Sequence, residues 1–309
     1  MDSRFASDSD MEMEMSENPH AATTRRVVIA GCGFVGRATA RIFHANDWSV
    51  LGLTSSRDSL APFAGEPFPV VACDIANEAA VTALCIDIGT PDVVIHCASS
   101  RRGGADEYRR TYFSGAQILM RSLRPRHFIL TSSTSVYAQT DGGWVTEESE
   151  TAPVRETAQI LRETEDYLLE QEGTVARLAG IYGPGRSVLL QRFFNGTAVL
   201  EGDGDRWINQ VHRDDVASAL KCIADRAARG IFNVADNHPF PQRVIYARLS
   251  SMFPRPLPRA GPIDPDRKRA WTNKQVSNAK LRALGWQPRF PSFFDAIEND
   301  PGLLQPFLS

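Results

Sequence analysis

The sequence predicts an α/β protein, a doubly wound parallel sheet with helices on both faces and a smaller C-terminal lobe. Two patterns predict it. Strand-length apolar runs alternate with helical stretches from residue 27 to residue 178, and that alternation loosens past Gly180. A third observation is the glycine-rich turn that closes the first run.

Taken in order, residues 27–30 (VVIA) form a short apolar run of the kind a buried parallel strand needs. Residues 34–46 are helical, and 50–54 and 69–74 read as the second and third strands. A helix follows near 78–85, then a fourth strand at 93–97. Apolar residues at helical spacing, Tyr108, Tyr112, Ile118, Leu119 and Leu123, predict a helix over 106–123. A fifth strand at 127–132 leads into a loop over 139–153 that is rich in glycine and acids. A helix at 156–172 and a strand at 174–178 complete the regular part. The run Glu163, Glu165 and Asp166 reads as a solvated face of that helix. A last helix is expected near 275–284, stopped by Gly285. The expected organisation is an acidic disordered tail over 1–24, a Rossmann-like nucleotide domain over 25–179, and a substrate lobe over 180–309 interleaved with the sheet.

Composition sets the bounds. The chain has 309 residues, 42% hydrophobic and 23% charged, with a net charge of −3. Residues 1–22 carry six acids against Arg4 alone, so the body is close to neutral and offers nucleic acid no electrostatic footprint. No apolar run reaches the ~20 residues of a membrane helix. Five scattered cysteines without a C-x-x-C pair argue against a disulfide framework or a zinc site and suit a cytoplasmic protein. The isolated histidines have no metal-ligand spacing.

The turn after the first strand is GCGFVG, with Gly31, Gly33 and Gly36 in G-x-G-x-x-G spacing. The first glycine permits the tight turn, the second lets backbone approach a pyrophosphate, and the third packs helix on sheet. Phe34, Val35 and Gly36 open the helix and aim its amides at the phosphates. The expected cofactor is therefore a nicotinamide dinucleotide. An NAD site has an acid at the end of the second strand for the ribose 2′-hydroxyl. Here Thr54, Ser55, Ser56 and Arg57 stand there instead. Two hydroxyls and a guanidinium suit a 2′-phosphate, so NADP is preferred over NAD.

Eight segments in shared order, GCGFVG, CDIANEAAV, VVIHCAS, LTSSTSVYA, RLAGIYGPGR, INQVHRDDVASAL, GIFNVAD and VSNAKLRALGW, resemble the NAD-dependent epimerase/dehydratase family, the extended short-chain dehydrogenases. The resemblance covers nearly all of residues 25–300. It implies that Asp74 accepts from the adenine amino group with Ile75 packed nearby, and that Cys97, Ala98 and Ser99 line the ribose and pyrophosphate. It implies that Ser133 bonds the substrate oxygen and that Tyr182, Arg186 and His212 border the substrate pocket. It also implies a homodimer through helices 106–123 and 156–172.

The family's Tyr-x-x-x-Lys dyad is absent. Thr157 stands in the tyrosine position and Leu161 in the lysine position, a loss that resembles an atypical subgroup of the family. A threonine hydroxyl is too weakly acidic for proton transfer near neutrality. Tyr137, four residues beyond Ser133, is the first candidate for the missing acid. The expected function is an oxidoreductase, a reductase or redox-assisted isomerase, acting on a small polar carbonyl or imine with a non-standard proton donor. A non-catalytic NADP-binding regulator or partner protein is the alternative.

Overall fold

The computed structural model describes residues 24–100, 103–263 and 272–308. The acidic tail expected at the N-terminus lies outside the described residues, apart from Thr24. Seven strands form one fully parallel sheet: β1 (Arg26–Ala30), β2 (Ser49–Thr54), β3 (Val70–Ala72), β4 (Val93–His96), β5 (His127–Ser133), β6 (Thr174–Leu178) and β7 (Gly230–Val234). Their order is β7-β6-β5-β4-β1-β2-β3, so the chain reverses direction across the sheet between β1 and β4. In a sheet of this kind ligands bind at the carboxyl ends of the strands, at the reversal.

Side-chain alternation explains why β1 is apolar throughout. Val27 and Ile29 face one layer, with Ala40 and Phe43 of helix α1 (Phe34–His44) and Val216, Leu220 and Ile223 of the helix Arg213–Asp225. Val28 and Ala30 face the other, with Val81, Ile118 and Leu119. Each fully buried Val or Ile of this strand contributes about 1.5–3 kcal/mol over an exposed one.

The expected helix 106–123 is one continuous rod from Ala105 to Leu123, with a π-helical segment, Arg109–Ser114, in its middle. His96, the last residue of β4, reaches into it, its Nε2 lying 3.0 Å from the Thr111 carbonyl. A carbonyl only accepts, so Nε2 carries the proton and Nδ1 is a buried acceptor with no hydrogen-bond partner among the described residues.

The lobe departs from expectation in detail. Gln275–Val276 is a strand paired with Trp144–Val145, and only Ala279–Ala283 is helical there. Helices Val188–Phe194, Phe293–Asn299 and Pro301–Leu308 are too short for a periodic signal, and Gln242–Met252 buries only Gln242, Ile245, Tyr246 and Leu249 in an otherwise mixed sequence. They enclose a separate aromatic core of Tyr182, Phe193, Phe194, Tyr246, Phe290, Phe293 and Phe294. No helix among the described residues is long and apolar enough to cross a membrane.

Candidate functional site

The glycine turn differs from one glycine to the next. Gly31 has φ +92°, and a Cβ there would fall 2.3 Å from the Ala98 backbone, so β1 and the end of β4 touch at this point. A Cβ on Gly36 would lie 2.2 Å from the Gly31 carbonyl oxygen. A Cβ on Gly33 would meet nothing within 4 Å. Two glycines therefore permit contact inside the protein, and the middle one faces open space where a diphosphate would approach. Helix α1 starts with no side-chain cap at Gly33 and no acid in its first turn. Its first helical bond is Arg37 N–H to the Gly33 carbonyl, 2.8 Å, so the amides of Phe34, Val35 and Gly36 precede the helical ladder. These residues fit a dinucleotide pyrophosphate.

The remaining cofactor positions gather along the same carboxyl edge. Thr54 ends β2 half-buried, and Ser55, Ser56 and Arg57 are exposed beside it. Ser56 Oγ lies 3.0 Å from Ser59 Oγ, holding the short turn on which Arg57 sits. Asp74 is already engaged: its Oδ1 accepts from Ala76 N–H at 3.0 Å, and Oδ2 pairs with Arg110. Arg110 was not singled out by sequence. Ile75 is buried against Gly115. Cys97 and Ala98 are half-buried and Ser99 is exposed. Burial pushes the Cys97 thiol well above its usual range and the Cys32 thiol up to about 12, so neither serves as a nucleophile.

Tyr137 and Ser133 part company. Ser133 ends β5 half-buried, its Oγ accepting from Ser135 N–H at 3.2 Å. Tyr137 is fully buried. Its hydroxyl donates to Asn233 Oδ1 at 2.9 Å and accepts from Arg177 Nη1 at 2.9 Å. With both capacities filled and no exposed surface, Tyr137 is not placed to give a proton to a substrate, which corrects the expectation for it. Burial raises its pKa further.

The network that holds Tyr137 was missed. Glu165, expected on a solvated face, is fully buried: it accepts from Arg177 Nη2 at 2.7 Å and from Ser132 Oγ at 2.5 Å. The signal was present, since Ala158, Leu161, Glu165 and Leu168 fall on one stripe of the helix Glu156–Glu170, and the other three are buried core residues. Leu161, at the lysine position of the dyad, packs in that core, and Thr157 is half-buried.

The three expected substrate residues divide likewise. Tyr182 and His212 are sealed inside the lobe and do not border an open pocket, a second correction. Their rings meet edge to face at 5.3 Å. His212 Nδ1 accepts from Asp214 N–H at 3.2 Å, capping the helix Arg213–Asp225, and its Nε2 lies 3.0 Å from Asp300 Oδ2. Burial lowers its pKa. Arg186 alone is exposed, its guanidinium 5.2 Å from the Phe34 ring, with Arg213 at 5.1 Å from the same ring. Both cations therefore stand at the mouth of the glycine turn. Among the described residues no group of three or more His, Cys, Asp or Glu side chains is arranged to hold a metal.

Comparison with known proteins agrees with this geometry. The chain is 31% identical over 245 residues to Protein YeeZ of Escherichia coli, covering 74% of this chain and 84% of YeeZ. It is 26% identical over 308 residues to methionine adenosyltransferase 2 subunit beta of Xenopus laevis, covering 90% and 88%. Its fold is shared with the UDP-glucose 4-epimerase of Thermus thermophilus, solved in complex with NAD, at a TM-score of 0.73 and 18% identity over 89% of this chain and 96% of that one. A family model for the NAD dependent epimerase/dehydratase family matches residues 27–235. With that match, and with the glycine turn standing where the sheet reverses, the chain belongs to the NAD dependent epimerase/dehydratase family.

Proposed function

We propose that the protein is an NADP-preferring oxidoreductase that reduces, or isomerises through reduction, a small polar carbonyl or imine. The observation that carries this reading is the uncapped, acid-free start of helix α1 behind the clearance at Gly33. Gly31, Gly33, Phe34, Val35 and Gly36 would hold the pyrophosphate, and Cys97, Ala98 and Ser99 would line the ribose. The adenine would lie beside Asp74 and Ile75, with Arg110 sharing the carboxylate. When bound, the dinucleotide supplies hydride chemistry. The protein's own part is to orient the substrate and manage one proton. Ser133 is the substrate hydrogen-bond partner in this reading, Arg186 an anion contact at the pocket mouth, and residues 180–309 the substrate lobe. Tyr182 and His212 shape that lobe from within.

The NADP preference rests on Arg57, exposed beside Ser55 and Ser56 with no ion pair among the described residues. A charge-assisted contact to a 2′-phosphate contributes about 1.5–3 kcal/mol, which is ~10-fold or more in affinity. Titration should show NADPH binding at least ~10-fold tighter than NADH to wild type, with Arg57→Ala removing the gap. Equal affinity in wild type would remove the NADP assignment. Five free cysteines suit the reducing cytoplasm. The family resemblance supports pairing of two copies through the helices over 106–123 and 156–172.

A second reading, a non-catalytic cofactor-binding partner protein, is favoured by Leu161 in the core at the dyad position and by the similarity to an adenosyltransferase subunit. Cofactor binding without turnover of any carbonyl or imine would select it.

A further inference from the structure

Anions gather where cations converge without enough carboxylates to neutralise them. Two guanidinium groups converge on the ring of Phe34, the first residue of helix α1: Arg186 at 5.2 Å and Arg213 at 5.1 Å from its centroid. Phe34 and Arg213 are half-buried, and Arg186 is exposed. Three separate segments meet there. Arg186 closes the turn Gly183–Arg186, whose end residues exchange both backbone hydrogen bonds at 2.9 Å. Pro184 and Gly185, the latter at φ +76°, are the central pair that a type II turn favours. Arg213 opens the helix Arg213–Asp225. A Cβ on Gly183 would lie 3.1 Å from Arg213 Cβ and 3.4 Å from Phe34 Cζ, so the turn, the helix start and the ring are packed against one another.

The protein offsets little of this charge. A ring face holds a guanidinium in place without using its N–H groups. Arg213 gives Nε to Asp214 Oδ1 at 2.8 Å, its one carboxylate contact among the described residues, and Arg186 has no ion pair among them. The acid Glu66 is taken by Arg37 and Arg41 of helix α1. Because both cations stand over one ring, they lie no more than about 10 Å apart, close to the Debye length of physiological salt. They repel, and an anion held between them relieves the repulsion. The amides of the glycine turn and Arg57 are the groups suited to the cofactor's own phosphates. Arg186 and Arg213 come instead from residues 180–309, the substrate lobe.

We propose that Arg186 and Arg213 form a clamp for a carboxylate or phosphate on the substrate, so that the substrate class is an anionic carbonyl or imine compound. The inference rests on the reductase reading above and names the class that reading leaves open. A planar guanidinium offers paired N–H donors that match two oxygens of a carboxylate or phosphate. Arg186 has all its donors for this, and Arg213, with Nε engaged by Asp214, has its two Nη groups. Phe34 sets the spacing of the pair. The clamp determines specificity and takes no part in hydride or proton transfer.

The test uses the full-length protein with NADPH and two aldehydes of similar shape, para-carboxybenzaldehyde, an anion, and para-nitrobenzaldehyde, which is neutral. The readout is the ratio of their kcat/KM values. Arg186→Gln and Arg213→Gln should each cut the preference for the anion by ~10-fold, mainly through KM, and Arg186→Lys, which keeps the charge, should cut it less. Arg186 is exposed, so its variants keep the test standing if Arg213→Gln fails to fold. A ratio unchanged in the glutamine variants would overturn the clamp. NADP⁺ affinity is titrated on the same proteins. A loss there as large as the loss of preference would assign the pair to the cofactor's diphosphate and would also overturn it. If wild type reduces neither aldehyde, the reductase reading itself fails, and the clamp is tested by calorimetry of para-carboxybenzaldehyde with the NADP⁺-loaded protein. Binding should weaken as KCl is raised and be lost in the Arg186→Gln, Arg213→Gln double variant. No binding to wild type, or equal binding to the double variant, would overturn the clamp on its own account.

Discussion

Two helix starts in this protein have the same backbone chemistry and opposite treatment. The helix Arg213–Asp225 begins with an imidazole on its amide and two acids in its first turn. One of those acids, Asp215, accepts from the amides of Arg289 and Phe290 at 2.6 and 3.1 Å and so ties the lobe to the sheet. Helix α1 begins with no side-chain cap at Gly33 and no acid in its first turn among the described residues. A group satisfied by the protein stabilises the fold, and a group left open at the convergence of the strand ends is reserved for a ligand. Substitutions on the two sides should therefore separate, closed groups affecting stability and open groups affecting binding.

The largest effect is expected at the closed network. Arg177→Met takes the 2.7 Å guanidinium contact from buried Glu165 and leaves it only Arg162 Nη1 at 3.5 Å, and should cost about 3 kcal/mol in urea denaturation. Removing both charges, Arg177→Met with Glu165→Leu, should recover most of the loss, because the pair rather than either charge is what the interior tolerates. A double variant no more stable than the single one would break the comparison. A smaller effect is expected at His96. Burial holds its pKa at about 4, against 6.5 for a free histidine. As pH falls below 6.5 the unfolded chain takes up a proton that the fold refuses, so stability is lost between pH 6.5 and about 4. His96→Gln, which keeps a donor for Thr111, should flatten the pH dependence in that window by about 1 kcal/mol per pH unit. An unchanged slope would show that His96 charges in the fold.

What could be read from the sequence follows from range. The strand, glycine turn and helix of residues 26–44 are legible because the hydrophobic period and the glycine spacing are local. The Gly31–Ala98 contact is the first long-range fact, and glycine at that position anticipates it. Glu165 reads as surface because its neighbours Glu163 and Asp166 are exposed, and only the stripe through Leu161 and Leu168 reveals it. Its partner Arg177 lies within an apolar strand flanked by β5 and β7, where a charge has to be paired. Tyr137 sits at the right end of the sheet, but which way its ring turns is set by Asn233, 96 residues on. The lobe was the least legible part, because its helices are short and cohere through aromatic contacts rather than a periodic stripe.

Amide hydrogen exchange at Phe34, Val35 and Gly36, with and without saturating NADPH, tests the central claim most directly. Those amides should slow on cofactor addition, while the amide of Asp214, already bonded to His212, should not change. Exchange at residues 34–36 that is the same with and without the dinucleotide would contradict the account.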